Sequence, residues 1–345
     1  MKKKILIAPL NWGLGHATRC IPIINALVAQ NFEPILASDG DALTLLQKEF
    51  PNLTSYELPS YDIKYTTGKN QKLKLVVQSP QILKASINEQ KSVQQIHKQE
   101  KLSGIISDNR FGVRLASISS VYITHQIQVL SGNTTTITSR LHQKIIAKFD
   151  ECWVPDNKVQ ILSGKLSSNE EVKFKVKYIG VLSRFKKQNL PQKYDLLIVL
   201  SGPEPQRTIL EQKLLVQLKM YTKKVLLVRG IFTKNEVHSN QSNITIVNYM
   251  LSQALERAFN ESKLILARSG YSTILDLSKL GKKAFFIPTP GQFEQEYLAE
   301  QLEEQKIAPY SSQEVFDLQF LDKTSDYSGF TTVGNEFNTN LFNLF

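Results

Sequence analysis

Short apolar runs alternate along the chain with longer segments in which apolar residues recur at helical spacing. In the first half, the runs that predict β-strands are ILIAPL (5–10), EPILAS (33–38), GIIS (104–107), SVYIT (120–124) and ECWVP (151–155). Behind the first run, one face of a helix is predicted from Ala17, Ile21, Ile24, Leu27 and Val28. Asp39 and Asp41 stand where they can cap the next helix. This alternation is typical of a parallel sheet covered on both faces.

The pattern changes at residues 163–193, which are polar, lysine-rich and weakly periodic. Strand-like runs then resume at 194–200, 224–228, 243–247, 263–267 and 283–288, with helical segments at 207–221 and 293–306. We therefore predict an α/β protein with two doubly wound, Rossmann-like domains that face an inter-domain cleft. The predicted divisions are an N-terminal domain (1–162), a junction (163–193), a C-terminal domain (194–325) and a tail (326–345).

Composition places this chain of 345 residues among ordinary globular proteins, with 41% hydrophobic residues. No apolar run approaches the ~18–20 residues that span a bilayer. Asn11 and Trp12 end the N-terminal apolar run too early for a secretory signal. The two cysteines, Cys20 and Cys152, lie far apart and suggest neither a zinc site nor a disulfide framework. These features favour a cytoplasmic protein.

The net charge of +11 has several explanations, namely nucleic acid, an anionic membrane, phosphorylated substrates or a solvated lysine-rich surface. Because no basic motif with interleaved aromatic residues occurs, we predict no nucleic-acid partner. The segment 65–101 mixes apolar residues with Lys69, Lys72, Lys74, Lys84 and Lys91. Such a segment could dock on the inner face of an anionic membrane, or simply cover the core with its lysines in water.

Polar motifs follow three of the predicted strands, at the edge where doubly wound sheets bind ligands. They are NWGLGHATR, SDNRFG (107–112) and ARSGYSTILD (267–276). In the last, Ser269-Gly270 ends a strand and opens a helix, whose N–H groups suit an anion such as a phosphate. Asp276 lies about a turn and a half further on, where its carboxylate could accept both hydroxyls of a ribose. A solvated carboxylate on an ordinary amphipathic helix fits the spacing equally well.

The segment 263–302 resembles the C-terminal domain of GT-B fold glycosyltransferases, and especially family 28, the N-acetylglucosaminyl transferases that complete the peptidoglycan lipid intermediate. The shared residues are Arg268, Ser269, Gly270, Thr273, Asp276, Pro288, Gln295 and Glu296. The resemblance implies that Asp276 binds the donor ribose and that Gln295 and Glu296 face the donor sugar. Here Asp276 replaces the usual glutamate, and Glu296 replaces a second glutamine.

The resemblance extends to three further segments of the donor side. KYIGVLSRF (177–185, with Lys177 first) resembles an inter-domain Gly-x-x-x-Arg motif and places Arg184 beside the donor. Tyr249 and Met250 fall in the loop that binds the base. The phosphate loop corresponds to SGPEPQR (201–207), which supplies Gly202 and Arg207 but has Pro203 in place of serine.

The stretch Gly13 to His16 resembles the first loop of the same superfamily, where Gly-His opens the first helix beneath the donor. In relatives with small-molecule acceptors this histidine is the general base, and an aspartate from a later strand end orients it. The resemblance therefore implies that His16 is the base and Asp108 its partner, with Gly13 and Gly15 close to the donor. His125, at the end of a neighbouring strand, is placed on the acceptor side. A histidine that merely caps the helix is the simpler alternative.

These motifs together predict an inverting hexosyltransferase of cell-envelope glycan synthesis. We predict a UDP-linked nucleoside-diphosphate sugar as the donor, with N-acetylglucosamine as one candidate, and a glycan or a lipid-linked molecule as the acceptor. No cofactor or metal ion is expected, because no Asp-x-Asp box stands in a suitable loop. Ser269-Gly270, helped by Arg184 or Arg207, would hold the departing diphosphate.

Two alternatives remain open. GLGHATRC also resembles the Gly-x-Gly-His-x-x-Arg-Cys loop of the UDP-sugar hydrolases of nonulosonate synthesis, in which water is the acceptor. A non-catalytic sugar-nucleotide-binding subunit of a transferase is the second.

The remaining histidines, His97, His142 and His238, are predicted on the surface.

Overall fold

Parallel strands form the centre of each half of the chain in the computed structural model, which describes residues 2–61, 79–158, 162–168, 172–231, 237–241, 243–332 and 337–345. These residues form two compact units. The first contains the described residues up to Leu182 together with 337–345, and the second contains 183–332. The division therefore falls within the segment 163–193 that composition predicts as a junction.

The first unit is built on a parallel sheet in the order β3-β2-β1-β4-β5-β6-β7. Its strands are β1 (Lys4–Pro9), β2 (Glu33–Ser38), β3 (Ser55–Glu57), β4 (Gly104–Asp108), β5 (Ser119–Ile123), β6 (Glu151–Val154) and β7 (Val176–Tyr178). Its helices are α1 (Gly15–Ala29), α2 (Gly40–Glu49), α3 (Ser79–Glu100) and α4 (Thr135–Ile146), with 3₁₀ turns at Gly132–Thr134, Gly164–Ser167 and Thr339–Leu344.

The order of the strands reverses at β1, which lies between β2 and β4. Ile5, Leu6 and Ile7 are fully buried, as expected for a strand covered on both faces. Pro9, at the end of β1, is paired in register with Asp108, at the end of β4. The loops that follow these two strands therefore emerge side by side at the point where such sheets bind ligands.

The second unit has the strand order β10-β11-β9-β8-β12-β13, in which only the edge pair β10–β11 is antiparallel among the described strands. The strands are β8 (Tyr194–Val199), β9 (Val225–Val228), β10 (Val237–Gln241), β11 (Ile244–Val247), β12 (Ser262–Ala267) and β13 (Lys283–Phe286). The helices are α5 (Gln206–Leu218), α6 (Ser252–Asn260), α7 (Tyr271–Leu280) and α8 (Phe293–Glu304), with a 3₁₀ segment at Leu318–Asp326. The order reverses at β8, between β9 and β12.

Every strand predicted from the apolar runs is present, but three strands were not predicted. β3, β7 and β10 are all at sheet edges. Each residue of β3 and β7 is at least partly exposed, so these strands lack the apolar run that marks a buried strand. No helix in the described ranges is long and apolar enough to cross a membrane.

Three local predictions are wrong. Val28 is 50% exposed and lies outside the buried face of α1. Asp39 stands at the start of α2 without a capping hydrogen bond, because its carboxylate binds Arg110 instead, at 2.6 Å. His142, predicted on the surface, is buried beside Tyr122, whose hydroxyl lies 3.0 Å from Nε2, and burial lowers its pKa to about 4. His97 is half-buried, and the side chain of His238 lies outside those described.

The last residues of the chain complete the core of the first unit. The rings of Phe342 and Phe345 lie with their centroids 6.5 and 6.2 Å from that of Trp153, which is fully buried. Lys3 Nζ donates to the backbone oxygen of Phe345 at 2.6 Å. Gly104 is needed at this contact, since a Cβ there would lie 2.1 Å from Cδ1 of Phe345.

Candidate active site

The loop after β1 turns directly into α1 at the edge of the first sheet. Gly13 has φ +80°, a left-handed conformation that glycine adopts without steric cost. No described atom lies within 4 Å of the position of a Cβ at Gly13, so the loop is open on that side. α1 begins at Gly15, and no described side chain caps its first turn. The simpler alternative, in which His16 caps the helix, is therefore not what the structure shows.

His16 instead meets Asp108, the pair that the resemblance implies. His16 Nδ1 lies 2.7 Å from Asp108 Oδ1. The aspartate side chain is completely buried, whereas 14% of the His16 side chain is exposed. The neighbouring ends of β1 and β4 bring the two residues together. This arrangement leaves the ring of His16 accessible at one side while its Nδ1 is held by a carboxylate.

Arg19, one turn further along α1, completes the cluster and was not predicted as a site residue. Its guanidinium binds both oxygens of Asp108, through Nε and Nη2. Nη1 lies 3.0 Å from His125 Nδ1, and Nη2 lies 2.9 Å from His16 Nδ1. Only 3% of Arg19 and 4% of His125 are exposed. Arg19 therefore links His16 and Asp108 to His125, the residue predicted on the acceptor side.

The charge of Asp108 is fixed by these neighbours. Burial by itself would raise the pKa of its carboxyl, but the Arg19 guanidinium and then His16 lower the pKa to about 2. Cys20 lies beside the same carboxylate, with Sγ 3.7 Å from Oδ2, and burial raises the pKa of this thiol well above its usual value. The site at neutral pH thus contains an ionised carboxylate and a protonated thiol.

The motif SDNRFG sends its two charged side chains in different directions. Between Asp108 and Arg110, Asn109 has φ +57°. Arg110 is fully buried and donates to Glu89 Oε1 and Asp39 Oδ1, both at 2.6 Å. It also donates to the backbone oxygen of Pro59, at 2.6 Å. Asp108 therefore serves the candidate site, while Arg110 holds together the chain segments behind it.

In the second unit, α7 starts immediately after β12 with an open N-terminus. No described atom lies within 4 Å of the position of a Cβ at Gly270. The Ser269 hydroxyl donates to the backbone oxygen of Gln295, at 2.7 Å, and so does not cap the helix. Thr273, in the first turn, is half-buried. The backbone N–H groups at this helix start keep the geometry expected of an anion site.

Asp276 lies on the same helix and is 8% exposed. The Ser183 hydroxyl donates to its Oδ1 at 2.6 Å. Burial raises the pKa of Asp276 to about 6, although Arg184 and Ser183 act in the opposite direction. Arg184 is half-buried, donates to Ser252 at 3.2 Å and lies over the ring of Phe185. The structure thus brings the predicted Asp276 and Arg184 into one neighbourhood.

Arg268 and Arg207 are directed into the second unit. Arg268 is 1% exposed and donates to the backbone oxygens of Ile287, Pro288 and Gln206. Its burial lowers its pKa to about 10. Arg207 binds the carboxylates of Glu204 and Glu211, each at 2.6 Å. Both guanidinium groups are thus held by contacts within the second unit, and the donor-binding role that the resemblance implies for these arginines stays a prediction.

The remaining predicted donor residues lie in loops at the carboxyl ends of the strands or at the start of α8. Gln295 accepts from the backbone N–H of Thr289 at 2.8 Å, and Glu296 from that of Gly291 at 2.9 Å. Gly202 follows β8 with φ +100°. Tyr249 and Met250 are half-buried between β11 and α6. They are therefore at the carboxyl edge of the second sheet, where doubly wound sheets bind ligands.

Comparison with known proteins matches this second unit to a recognised domain. Residues 197–326 match the glycosyltransferase family 28 C-terminal domain. Over 307 residues, the chain is 20% identical to the UDP-N-acetylglucosamine–N-acetylmuramyl-(pentapeptide) pyrophosphoryl-undecaprenol N-acetylglucosamine transferase of Haemophilus ducreyi. That match covers 86% of this chain and 81% of the relative.

Solved glycosyltransferase structures share the fold over most of the chain. The glycosyltransferase SnogD from Streptomyces nogalater has a TM-score of 0.62 at 13% identity, covering 94% of this chain and 91% of that one. MurG of Acinetobacter baumannii has a TM-score of 0.53 at 15% identity, covering 94% and 89%. Such low identities show the fold alone, which is GT-B as predicted. Taken with the domain match and the Haemophilus ducreyi relative, this fold identifies the chain as a GT-B glycosyltransferase whose C-terminal domain is similar to that of family 28.

Proposed function

We propose that the protein transfers a hexose from a UDP-linked donor to a hydroxyl group of a glycan or lipid-linked acceptor, with inversion at the anomeric carbon. The observation that carries this proposal is the cluster of His16, Asp108 and Arg19 at the edge of the first sheet. A buried, ionised carboxylate on Nδ1 of a partly exposed histidine is the arrangement of a general base.

In the proposed reaction, His16 Nε2 takes the proton of the acceptor hydroxyl as its oxygen attacks the anomeric carbon. The bond from that carbon to the diphosphate oxygen breaks in the same step, and its electron pair leaves with the diphosphate. Asp108 stabilises the imidazolium that forms. Attack from the side opposite the leaving group inverts the configuration. No metal ion or cofactor takes part in this scheme.

The donor side of the proposal depends on the second unit. The open start of α7 at Gly270 suits the diphosphate, and Asp276 suits the ribose hydroxyls. The name of the Haemophilus ducreyi relative specifies a UDP-N-acetylglucosamine donor and an undecaprenol-linked acceptor. UDP-N-acetylglucosamine and lipid-linked acceptors are therefore the first substrates to test.

The test is product analysis with and without acceptor. The purified chain is incubated with UDP-N-acetylglucosamine and other UDP-hexoses, with and without EDTA, and the anomeric configuration of the product is read by NMR. Acceptor-dependent formation of the inverted glycoside, unaffected by EDTA, supports the proposal. Equal release of free sugar in the absence of acceptor indicates a hydrolase, and binding without turnover indicates a non-catalytic subunit.

Asp276 gives a prediction in which affinity and stability move in opposite directions. The pKa of Asp276 is raised to about 6 in the folded protein. The protein is therefore most stable when this carboxyl is protonated, and that stability is lost as the pH rises from the pKa of the unfolded chain through about 6. Asp276→Asn should therefore stabilise the second unit at pH 8, by on the order of 2–3 kcal/mol, and much less at pH 4. The same change should weaken UDP binding by roughly 1.5–3 kcal/mol, because a charged acceptor for ribose is lost.

Thermal unfolding at the two pH values and calorimetry with UDP measure both effects. Asp322→Asn, which changes an exposed carboxylate of the same unit, is the control and should alter neither. Unchanged UDP affinity in Asp276→Asn would show that this carboxylate is not part of the donor site. A 2′-deoxy donor should bind the wild type and the variant more nearly alike.

The protein is further proposed to contact an anionic membrane through the first unit. Of the lysines predicted to dock, Lys69, Lys72 and Lys74 lie outside the described residues. Lys84 lies on the exposed side of α3 between Leu83 and Ile87, which are 64% and 50% exposed. A second exposed face, the α4 stripe, consists of Ile137, Arg140, Leu141 and Lys144. Apolar and basic residues on one exposed helix face suit insertion at an anionic lipid surface.

Changes in the α4 stripe should separate two contributions to vesicle binding, namely the burial of apolar side chains and the attraction of basic side chains to anionic lipid. Ile137→Ser with Leu141→Ser should weaken sedimentation with anionic vesicles by about tenfold or more at any salt concentration, because apolar burial is lost. Arg140→Gln with Lys144→Gln should weaken it mainly at low salt. Val216→Ser, at a residue of α5 that is 65% exposed, is the matched control. Equal binding of the wild type to neutral and anionic vesicles at low salt contradicts this proposal.

A further inference from the structure

Arg19 contacts three functional side chains with one guanidinium group. Two of its nitrogens bind the oxygens of Asp108, and Nη1 lies 3.0 Å from His125 Nδ1. The residue is nearly inaccessible, at 3% exposure. Because a guanidinium is planar and rigid, its position on Asp108 also fixes the direction from which it approaches His125.

The contact with His125 decides where that ring carries its proton. Arginine nitrogens donate hydrogen bonds and cannot accept them. His125 Nδ1 must therefore present its lone pair to Arg19, and the proton of the neutral ring must be on Nε2. A proton on Nδ1 would place two N–H donors against each other at 3.0 Å.

The opposite arrangement follows for His16. Its Nδ1 lies 2.7 Å from Asp108 Oδ1 and 2.9 Å from Arg19 Nη2. A lone pair on Nδ1 would face the lone pairs of an ionised carboxylate at the shorter distance. A proton on Nδ1 is instead donated to Asp108, while Arg19 directs its own N–H groups to the same carboxylate. The lone pair of His16 is then on Nε2.

We propose that Arg19 is a positioning residue that holds the two histidines in opposite tautomers, so that His16 offers a basic Nε2 and His125 offers an N–H donor at Nε2. The role of His16 Nε2 as the base rests on the proposed function, whereas the tautomers themselves do not.

The charges around the histidines agree with this arrangement. The titratable and charged groups that face the two rings or their partners include Asp108 from β4, Arg19 and Cys20 from α1, and His142 from α4, which interacts electrostatically with His125. Arg19 balances the charge of Asp108, so the cluster is neutral when both histidines are neutral. Replacing Arg19 leaves the charge of Asp108 unbalanced beside His16, which favours a second proton on that ring.

The test is ¹⁵N NMR of the histidine rings in the full chain, because protonated and unprotonated ring nitrogens have well-separated chemical shifts. His16→Gln and His125→Gln assign the signals. At pH 8 we expect the Nδ1–H tautomer for His16 and the Nε2–H tautomer for His125. Lysine in Arg19→Lys cannot bind Asp108 and His125 at the same time, as the planar guanidinium does. This variant should therefore convert His125 to a mixture of tautomers and lower kcat by roughly tenfold or more, with unchanged affinity for UDP. Arg19→Gln, which also removes the positive charge beside Asp108, should move the acid limb of the pH–rate profile to higher pH.

Arg110→Lys is the matched control, since it alters another buried guanidinium bound by two carboxylates of the same unit. It should destabilise the protein without changing either histidine signature. An Nδ1–H tautomer of His125 in the wild type, or an unchanged signature in Arg19→Lys, would overturn the inference. Altered tautomers with full kcat would also contradict it. The expected wild-type tautomers without any sugar transfer would contradict the proposed function alone.

Discussion

His16→Ala should lower kcat by about 10²–10⁴-fold and leave the affinity for UDP within a few fold of the wild type. The reason is that the exposed side of the His16 ring is proposed to take the acceptor proton, whereas the nucleotide is proposed to bind the second unit. Steady-state kinetics with saturating donor, together with calorimetry with UDP, measure the two quantities. His16→Gln is a useful second variant because it retains a polar group beside Asp108.

Asp108→Asn should cost a similar factor in kcat, and the double variant should lose little more than the worse single one, since the two residues act as a unit. The structure adds a consequence for stability. Asparagine would leave the buried Arg19 without its carboxylate, which typically costs about 3–5 kcal/mol. The kinetics of this variant must therefore be measured below its lowered Tm. Full activity of His16→Ala combined with a lower Tm would mean that His16 is structural and is not the base.

Deleting residues 337–345 should destabilise the first unit severely while the second unit still binds UDP. The deletion removes aromatic rings packed on Trp153 and leaves that side chain, now fully buried, facing water. Phe342→Ala is the milder test and should cost about 3–5 kcal/mol, as for other buried phenylalanines. Urea unfolding followed by tryptophan fluorescence reports on this unit, because Trp12 and Trp153 both belong to it.

Asn343→Ala changes an exposed residue of the same 3₁₀ segment and should alter stability by no more than about 0.5 kcal/mol. An equal effect of Asn343→Ala and Phe342→Ala would mean that the segment does not contribute through its packing. Loss of UDP binding in the deletion variant would mean that the second unit depends on these residues.

The central strands could be predicted because the part of a parallel strand that is buried on both faces must be apolar, as in residues 5–8 of β1 and 196–198 of β8. The edge strands β3 and β7 could not be predicted in this way, because all their residues are at least partly exposed and need not be apolar. The resemblance implied that His16 and Asp108 are partners, and the structure gives the physical reason, because α1 follows β1 and Asp108 ends the adjacent strand β4. Which way a polar side chain points depends on partners distant in sequence, and this limited the rest of the prediction.

Arg19 and Arg268 show that limit in opposite ways. Arg19 lies in a helix whose sequence gives no reason to prefer Asp108 over solvent until β4 is known to end beside it. Arg268 occupies a motif whose resemblance suggests a donor contact, and in the structure its guanidinium donates to three backbone oxygens, two after β13 and one at the start of α5. The prediction that His142 is on the surface was wrong for a similar reason. The buried side of α4 includes the polar residues Ser139 and His142, so polarity does not identify the exposed side of this helix.

The return of the chain end to Trp153 sets an order for biosynthesis. The ribosome completes all seven strands of the first sheet before it makes residues 337–345, and residues 183–332 must be synthesised in between. Until then, the nascent chain carries an uncovered aromatic surface around Trp153, the kind of surface that chaperones bind and that drives aggregation. Expression of the first unit by itself should therefore succeed only if residues 337–345 are supplied, either fused after residue 182 or added as a separate peptide.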